Sequence, residues 1–200
     1  MRLWTTITVL AFLTGCASKE PVQVPEKFKV KFITSTGDIV VETERAWSPR
    51  GVDRFHELVR SGHFNESRFF RVVPGFIAQF GVHRDYETHR RWREYFILDD
   101  PRVLSNTRGT LAYAQDGPAS RATEMFFNLK DNPLLDEQNF TPFARVVEGM
   151  DVVDRLYSGY GEMKPDGDYI DHGHVEEAAN AYLVPRFPKL DYIKKTEVLP

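Results

Sequence analysis

Apolar and polar residues alternate strictly from Lys27 to Phe32, with three lysines on one side and three apolar residues on the other. A period of two predicts a β-strand with one buried face. Gly37-Asp38 predicts a hairpin turn leading into a return strand over Ile39 to Thr43. Short apolar runs bounded by turn residues predict further strands at about residues 69–73, 76–80, 109–114, 125–129, 143–147 and 190–199.

Apolar residues at helical spacing occur in three other segments. Ser48 followed by proline is typical of a helix start and predicts a helix over Pro49–Arg60 with Ser48 as its N-cap. Further helices are predicted over Glu148–Leu156 and His174–Leu183. The charged, weakly periodic stretch Val82–Arg108 predicts a surface excursion, in which residues 89–93 form a solvated loop face.

Composition narrows the class of protein. Two hundred residues with 42% hydrophobic content suffice for one domain with a sizeable core. The net charge is −3, from 26 Lys and Arg against 29 Asp and Glu, and there is no long basic block. We therefore expect no nucleic-acid partner.

The amino terminus has the pattern of a targeting segment. Arg2 precedes an apolar run, Leu3–Leu13, which is too short to span a bilayer comfortably. The run ends at Thr14-Gly15-Cys16 and resembles a bacterial lipoprotein signal, so we expect residues 1–15 to be removed and Cys16 to be lipidated. Residues 16–26 would then be a tether and residues 27–200 the folded domain. The alternative is an ordinary secretory signal with an incidental cysteine.

A lipid on Cys16 implies a protein anchored in the cell envelope and facing the periplasm. The outer membrane is favoured if the cell has one, because Ala17 stands where aspartate is associated with inner-membrane retention. Cys16 is the only cysteine, which excludes an intramolecular disulfide and a cysteine-based metal site.

The rest of the chain is organised around residues 64–81, with the sequence FNESRFFRVVPGFIAQFG. Two apolar runs are separated by a Pro-Gly turn, and each contains one polar side chain, Arg71 in the first and Gln79 in the second. A polar group in a buried strand is costly unless it is paired or faces a cleft. For either residue alone, a paired structural role is the ordinary explanation.

The combination of these residues resembles the cyclophilin family of peptidyl-prolyl cis-trans isomerases. The matching residues in this stretch are Phe64, Ser67, Phe69, Arg71, Val72, Val73, Phe76, Ile77, Gln79 and Gly81. The resemblance continues through Gly109–Phe127 and Leu134–Met150, and in outline covers residues 28–157. One departure is Phe70, where the family usually has histidine.

The resemblance implies a mainly β fold: a closed eight-stranded antiparallel barrel capped by two helices, here with an extra C-terminal helix. Periodicity alone does not distinguish this barrel from another α+β fold. The implied activity is isomerisation of prolyl bonds in secreted or envelope proteins, without a cofactor. We expect a monomer whose partners are proline-containing peptide segments.

The resemblance also assigns roles to individual residues. Arg71 would donate to the prolyl nitrogen, and Gln79 would orient Arg71. Ala114 and Gln115 would form an edge that pairs with the peptide backbone. The residues expected to line the proline pocket are Phe76, Ile77, Phe126 and Leu135. For Phe76, Phe126 or Leu135 taken alone, core packing is the better explanation.

Three further positions depart from the family pattern. Glu124 replaces a common glutamine; an ionised carboxylate only accepts hydrogen bonds, so we expect it to lose a donor to the substrate and to pair with Arg71. Phe140 replaces a pocket histidine. Leu134 replaces a common aromatic residue, which argues against strong cyclosporin binding. These departures leave open a binding module or chaperone with little turnover, or a purely structural lipoprotein.

No metal site is expected from the sequence. His172 and His174 are two residues apart in a Gly/Asp-containing segment, and histidines at that spacing are usually solvent-exposed.

Overall fold

The computed structural model describes residues 23–164 and 169–199. Its centre is one sheet of eight strands in which every ladder is antiparallel. The predicted strands are all present, to within about three residues at each end. They are β1 (Lys27–Thr34), β2 (Asp38–Glu44), β3 (Arg71–Val73), β4 (Ile77–Phe80), β5 (Thr110–Tyr113), β6 (Met125–Asn128), β7 (Pro142–Glu148) and β8 (Ile193–Leu199).

The strand order across the sheet is β3-β4-β6-β5-β7-β2-β1-β8. The sheet curls until its two edges meet, since Arg68, just before β3, forms an isolated bridge with Tyr192, just before β8. Backbone hydrogen bonds from Phe69 to Asp191 and from Ile193 to Ser67 reinforce this junction. The sheet is therefore a curled, nearly closed barrel, whose edges are joined by a short bridge and not by a continuous ladder. Where the edges pair, their backbone groups are no longer open to another chain, which lowers the tendency to aggregate.

Six α-helices occur in the described part of the chain, together with a 3₁₀ turn at Arg45–Trp47. They are α1 (Pro49–Arg60), α2 (Tyr86–Arg93), α3 (Pro133–Glu137), α4 (Met150–Asp154), α5 (His172–Ala178) and α6 (Asn180–Arg186). The predicted bounds of α1 are confirmed. Ser48 is the N-cap residue, as predicted, but its side chain makes no capping hydrogen bond, because its hydroxyl donates to Asp100 Oδ2 at 2.6 Å instead.

Two predictions outside the sheet are wrong. Residues 89–93 are not a solvated loop face but the end of α2, and His89 is fully buried. The single helix predicted near the carboxyl terminus is two short helices, α5 and α6. They are separated at Ala179, whose φ of 48° is in the left-handed region and interrupts the helical backbone.

The barrel interior is filled by a cluster of phenylalanine rings. Phe127 stacks on Phe80 with centroids 5.4 Å apart, and its edge meets Phe32 at 6.0 Å. A second apolar cluster lies outside the barrel, between the start of β3 and the helices α5 and α6. That second cluster fixes the C-terminal segment against the side of the barrel where Arg71 begins β3.

The amino-terminal predictions fall outside the described residues. These are the signal segment, Cys16 and most of the tether. Among the residues that the structure describes, none of the helices is long and apolar enough to cross a membrane.

Candidate active site

Arg71 and Gln79 are placed side by side by the β3–β4 hairpin. They are direct cross-strand partners, and the hairpin reverses at Gly75, whose φ of 66° suits a residue without Cβ. Arg71 Nη1 donates to Gln79 Oε1 at 3.0 Å. Neither is an unpaired polar group in a core: Gln79 is buried but bonded, and Arg71 is partly exposed at the edge of a cleft.

An apolar pocket lies beside this pair. Ile77, Ala112, Phe126 and Leu135 form its buried floor, with Phe76, Ala114 and Phe140 packed against them. The rings of Phe126 and Phe140 meet edge to face at 5.6 Å. Phe140 therefore adds apolar surface where the family commonly has an imidazole.

The pocket is part of a cleft of about 800 Å³. Its lining includes every residue assigned a catalytic or binding role from the sequence except Leu134, namely Arg71, Phe76, Ile77, Gln79, Ala114, Gln115, Glu124, Phe126, Leu135 and Phe140. Leu134 instead projects into solvent with 67% of its surface exposed. At the edge expected to receive a peptide backbone, Gln115 Nε2 donates to the Gln138 carbonyl at 3.3 Å.

Glu124 does not pair with Arg71, contrary to expectation. Its Oε2 accepts from Gln79 Nε2 at 2.7 Å, and its Oε1 lies 3.1 Å from His172 Nε2. Burial raises the pKa of the Glu124 carboxyl, and the hydrogen bond with Glu124 raises the pKa of the His172 imidazole. Gln79 thus bridges two charged groups, accepting from Arg71 and donating to Glu124.

The carboxylate that does pair with Arg71 is Glu162. Arg71 Nε and Nη2 donate to its two carboxylate oxygens, the second at 2.8 Å. Burial opposes ionisation of Glu162, but the contact with Arg71 outweighs it and holds the pKa of the carboxyl below its ordinary value. Glu162 precedes the C-terminal helices, so this segment reaches the cleft directly.

Sequence reasoning missed seven charged or titratable residues at the cleft. Six of them line it, namely His89, Arg93, Glu94, Asp116, His172 and Glu176, and Glu162 contacts Arg71 from outside. Glu162 is 91 positions from Arg71, and His172 is 48 positions from Glu124. No local pattern connects residues so far apart, which is why the sequence alone did not identify them.

Phe70 has a structural explanation. Its side chain is buried in the second apolar cluster with Val175 and Leu183, and its ring lies 6.3 Å from that of His172. The phenylalanine therefore provides the contact surface for the C-terminal helices, where a histidine would leave polar nitrogens in an apolar environment.

Comparison with known proteins agrees with this fold. Residues 29–175 match the family described as "Cyclophilin type peptidyl-prolyl cis-trans isomerase/CLD". Peptidyl-prolyl cis-trans isomerase B of Escherichia coli is 36% identical over 135 residues, which cover 64% of this chain and 82% of that protein. The isomerase cyp18 of Streptomyces antibioticus is 34% identical over 135 residues, which cover 64% of this chain and 81% of that protein.

Solved structures show the same fold at lower identity. A cyclophilin-type isomerase of Cryptosporidium parvum superposes with a TM-score of 0.63 at 20% identity, covering 87% of this chain and 98% of its own. The same protein crystallised in the presence of the dipeptide Ala-Pro gives a TM-score of 0.62 at 20% identity, and the match covers 86% of this chain and 99% of that one. From the match over residues 29–175, the chain belongs to the cyclophilin-type family of peptidyl-prolyl cis-trans isomerases.

Proposed function

We propose that this chain catalyses cis-trans isomerisation of prolyl peptide bonds in the described cleft, with Arg71 as the catalytic donor. The observation that carries the proposal is the position of Arg71, bonded to Gln79 at the edge of an apolar pocket that forms part of a cleft of about 800 Å³. This arrangement provides a fixed cation beside a water-poor surface, which is what the reaction requires.

The chemistry involves rotation and no bond cleavage. The barrier to rotation about a peptide bond is about 18–20 kcal/mol because the bond has partial double-bond character. In the twisted state the prolyl nitrogen becomes pyramidal and gains a lone pair. A donor aimed at that nitrogen stabilises the twisted state more than the planar one, so the barrier falls.

Arg71 retains donors for this role. A guanidinium has about five N–H groups. Within the described residues, Nε and one N–H of Nη2 are used by Glu162, and one N–H of Nη1 is used by Gln79. One N–H on each terminal nitrogen remains for a substrate, and the charge is permanent because arginine does not deprotonate in proteins.

Turnover of an Ala-Pro-Phe peptide by the full chain, purified in detergent, tests the proposal. Isomerisation should rise linearly with protein concentration above the spontaneous rate, which has a time constant of tens to hundreds of seconds. Binding of the same peptide without turnover would instead support the second candidate, a proline-binding module or chaperone. Three features favour that alternative. Glu124 and Phe140 replace polar side chains that the family commonly has in the cleft, and Glu162 occupies two N–H groups of Arg71.

The Glu124→Gln variant measures how far the carboxylate at position 124, where the family commonly has glutamine, limits the rate of isomerisation. A glutamine restores a donor toward the substrate while still accepting from Gln79. We expect kcat/KM to increase by about tenfold, which corresponds to one added neutral hydrogen bond of about 1 kcal/mol or slightly more. Glu177→Gln, on the exposed face of α5, is the matched control and should leave kcat/KM unchanged; an unaltered rate in both would show that Glu124 is not attenuating.

The ion pair with Glu162 is expected to lower the catalytic rate by partly neutralising the charge of Arg71. Replacing Glu162 with glutamine removes the opposing charge while Gln79 still orients the guanidinium, so kcat/KM should rise by up to about fivefold. A partly exposed ion pair contributes about 0.2–1 kcal/mol, and 1.36 kcal/mol is tenfold in rate. The difference from the unmodified chain should shrink in high salt. A fall in kcat/KM of similar size would show that Glu162 positions Arg71 for catalysis.

We further propose that the protein is a lipid-anchored monomer that assists secreted and envelope proteins as they fold. The support is the apolar run before Cys16 and the Pro-containing tether that follows it. Stable anchoring requires more than one acyl chain, since a single chain binds membranes only marginally. Intact mass spectrometry should find a diacyl or triacyl adduct on a chain beginning at Cys16, and Cys16→Ser should release the protein from membranes. An unmodified cysteine would refute the anchor without affecting the isomerase proposal.

A further inference from the structure

Three potential metal ligands meet at one side of the cleft. Glu124, His172 and Glu176 each present one ligand atom, and these atoms lie within 4.8 Å of one another. His172 Nε2 faces both carboxylates, at 3.1 Å from Glu124 Oε1 and 3.9 Å from Glu176 Oε1. His172 and Glu176 are four residues apart on α5 and therefore share one face of that helix.

These separations match the size of a small coordination sphere. Zinc binds histidine nitrogen and carboxylate oxygen at about 2.0–2.2 Å, so ligand atoms around a tetrahedral ion lie roughly 3.3–3.6 Å apart. The two distances from His172 Nε2 bracket that range. The three ligand atoms lie at most 4.8 Å apart, so side-chain rotations that bring the longer separations to about 3.6 Å place all three around one ion. The open cleft leaves a fourth position for water.

The outer oxygens of both carboxylates are already held. Gln79 Nε2 donates to Glu124 Oε2 at 2.7 Å, and Arg93 Nη1 donates to Glu176 Oε2 at 2.6 Å. These bonds orient each carboxylate with Oε1 toward His172. Outer contacts of this kind typically fix ligands in metal sites and affect metal affinity by about 10- to 100-fold.

His89 also approaches this group. It is fully buried, with Nε2 at 3.1 Å from Glu176 Oε1. Its position supports Glu176 from the side of α2. Among the described residues, its Nδ1 is buried without a hydrogen-bond partner.

We propose that Glu124, His172 and Glu176 bind one divalent transition-metal ion of the Zn²⁺ class. His172 lies between the two carboxylates and can bind an ion only as the neutral imidazole, so metal binding exchanges its proton for a dication that both carboxylates contact. One imidazole with two carboxylates suits zinc and its neighbours better than Ca²⁺ or Mg²⁺, which prefer all-oxygen sites. The sequence expectation of no metal considered only His172 with His174, and His174 points elsewhere, stacking on Tyr182.

Equilibrium dialysis of the chelator-treated full chain against ZnCl₂ at pH 7.5 tests the proposal. We expect one equivalent to bind, and Glu124→Gln, His172→Ala and Glu176→Gln each to weaken binding by at least tenfold. His174→Ala and Glu177→Gln are matched controls from the same helix and should bind as the unmodified chain does. Cys16→Ser should also retain binding, which separates this site from coordination by the thiol.

Thermal unfolding gives an independent readout that does not depend on enzymatic activity. An ion that binds only the folded state raises the Tm, so Zn²⁺ should stabilise the unmodified chain and the two controls but not the ligand variants. Circular dichroism before heating verifies that each variant is folded. No bound zinc, or binding that persists in both Glu124→Gln and His172→Ala, would overturn the proposal, whatever the outcome of the isomerase assay.

Discussion

Replacing Arg71 with alanine is expected to lower kcat/KM for an Ala-Pro-Phe peptide by about 10- to 150-fold. A charge-assisted hydrogen bond contributes roughly 1.5–3 kcal/mol, and this contact exists mainly in the twisted state. The pocket of Phe126 and Leu135 is unchanged by the substitution, so peptide affinity should fall much less than turnover. The measurement is kcat/KM beside the dissociation constant from titration.

A matched arginine tests the specificity of that loss. Arg108 also forms a bidentate pair, with Asp154 at 2.9 and 2.6 Å, and it does not line the cleft. Arg108→Ala should leave kcat/KM within about twofold of the unmodified chain. Arg71→Lys keeps a charge but loses the planar fork, and should give an intermediate rate. Equal losses in Arg71→Ala and Arg108→Ala would place the catalytic donor elsewhere.

Replacing Phe127 with alanine is expected to lower the free energy of unfolding by about 3–5 kcal/mol. Phe127 is fully buried where the rings of Phe32, Phe69 and Phe80 converge, so truncation leaves a cavity in the barrel centre. Urea titration followed by circular dichroism measures the change. Such a loss is a large share of the total stability of a single domain.

The control for that substitution is Leu134→Ala. Leu134 is two-thirds exposed, so its truncation should change the free energy of unfolding by no more than about 0.5 kcal/mol. If Phe127→Ala cost less than about 1 kcal/mol, or Leu134→Ala cost as much as Phe127→Ala, the packing of the barrel interior described above would be wrong.

The strands were predictable because their pattern is local. In β1 every second residue enters the barrel, and the buried positions alternate along the strand as the lysine and phenylalanine pattern indicates. The β3–β4 hairpin was marked by Pro-Gly between two apolar runs, and α1 by proline at its first turn. The resemblance then supplied the barrel topology, which local periodicity does not determine.

The missed helix α2 had only a weak local signal. Asp85 caps it by accepting from the Thr88 backbone N–H at 2.9 Å, but the helix has few apolar residues to establish a period. Much of its support is tertiary: His89 and Arg93 both contact Glu176 on α5. The sequence between 82 and 108 does not reveal a partner that lies more than 80 residues downstream.

The charged side of the cleft was unpredictable for the same reason. Glu124 was expected beside Arg71 because both positions belong to the family's site, whereas the C-terminal segment brings Glu162 to Arg71 and His172 to Glu124. The break between α5 and α6 occurs at an alanine, Ala179, so the sequence has no glycine or proline there that would predict it. Those features depend on how the segment beyond residue 157 packs on Phe70. That segment lies outside residues 28–157, which the resemblance covers.

The most direct test of the central claim is exchange NMR on an Ala-Pro-Phe peptide mixed with a catalytic amount of the full chain in detergent. The account predicts exchange cross-peaks between the cis and trans proline signals that are absent from the peptide alone and are strongly reduced with Arg71→Ala. It also predicts peptide-induced shifts at Ile77, Phe126 and Leu135. Shifts at those residues without exchange would contradict the enzymatic claim and would identify the chain as a proline-binding module. Exchange without shifts at those residues would contradict the assignment of the cleft as the active site.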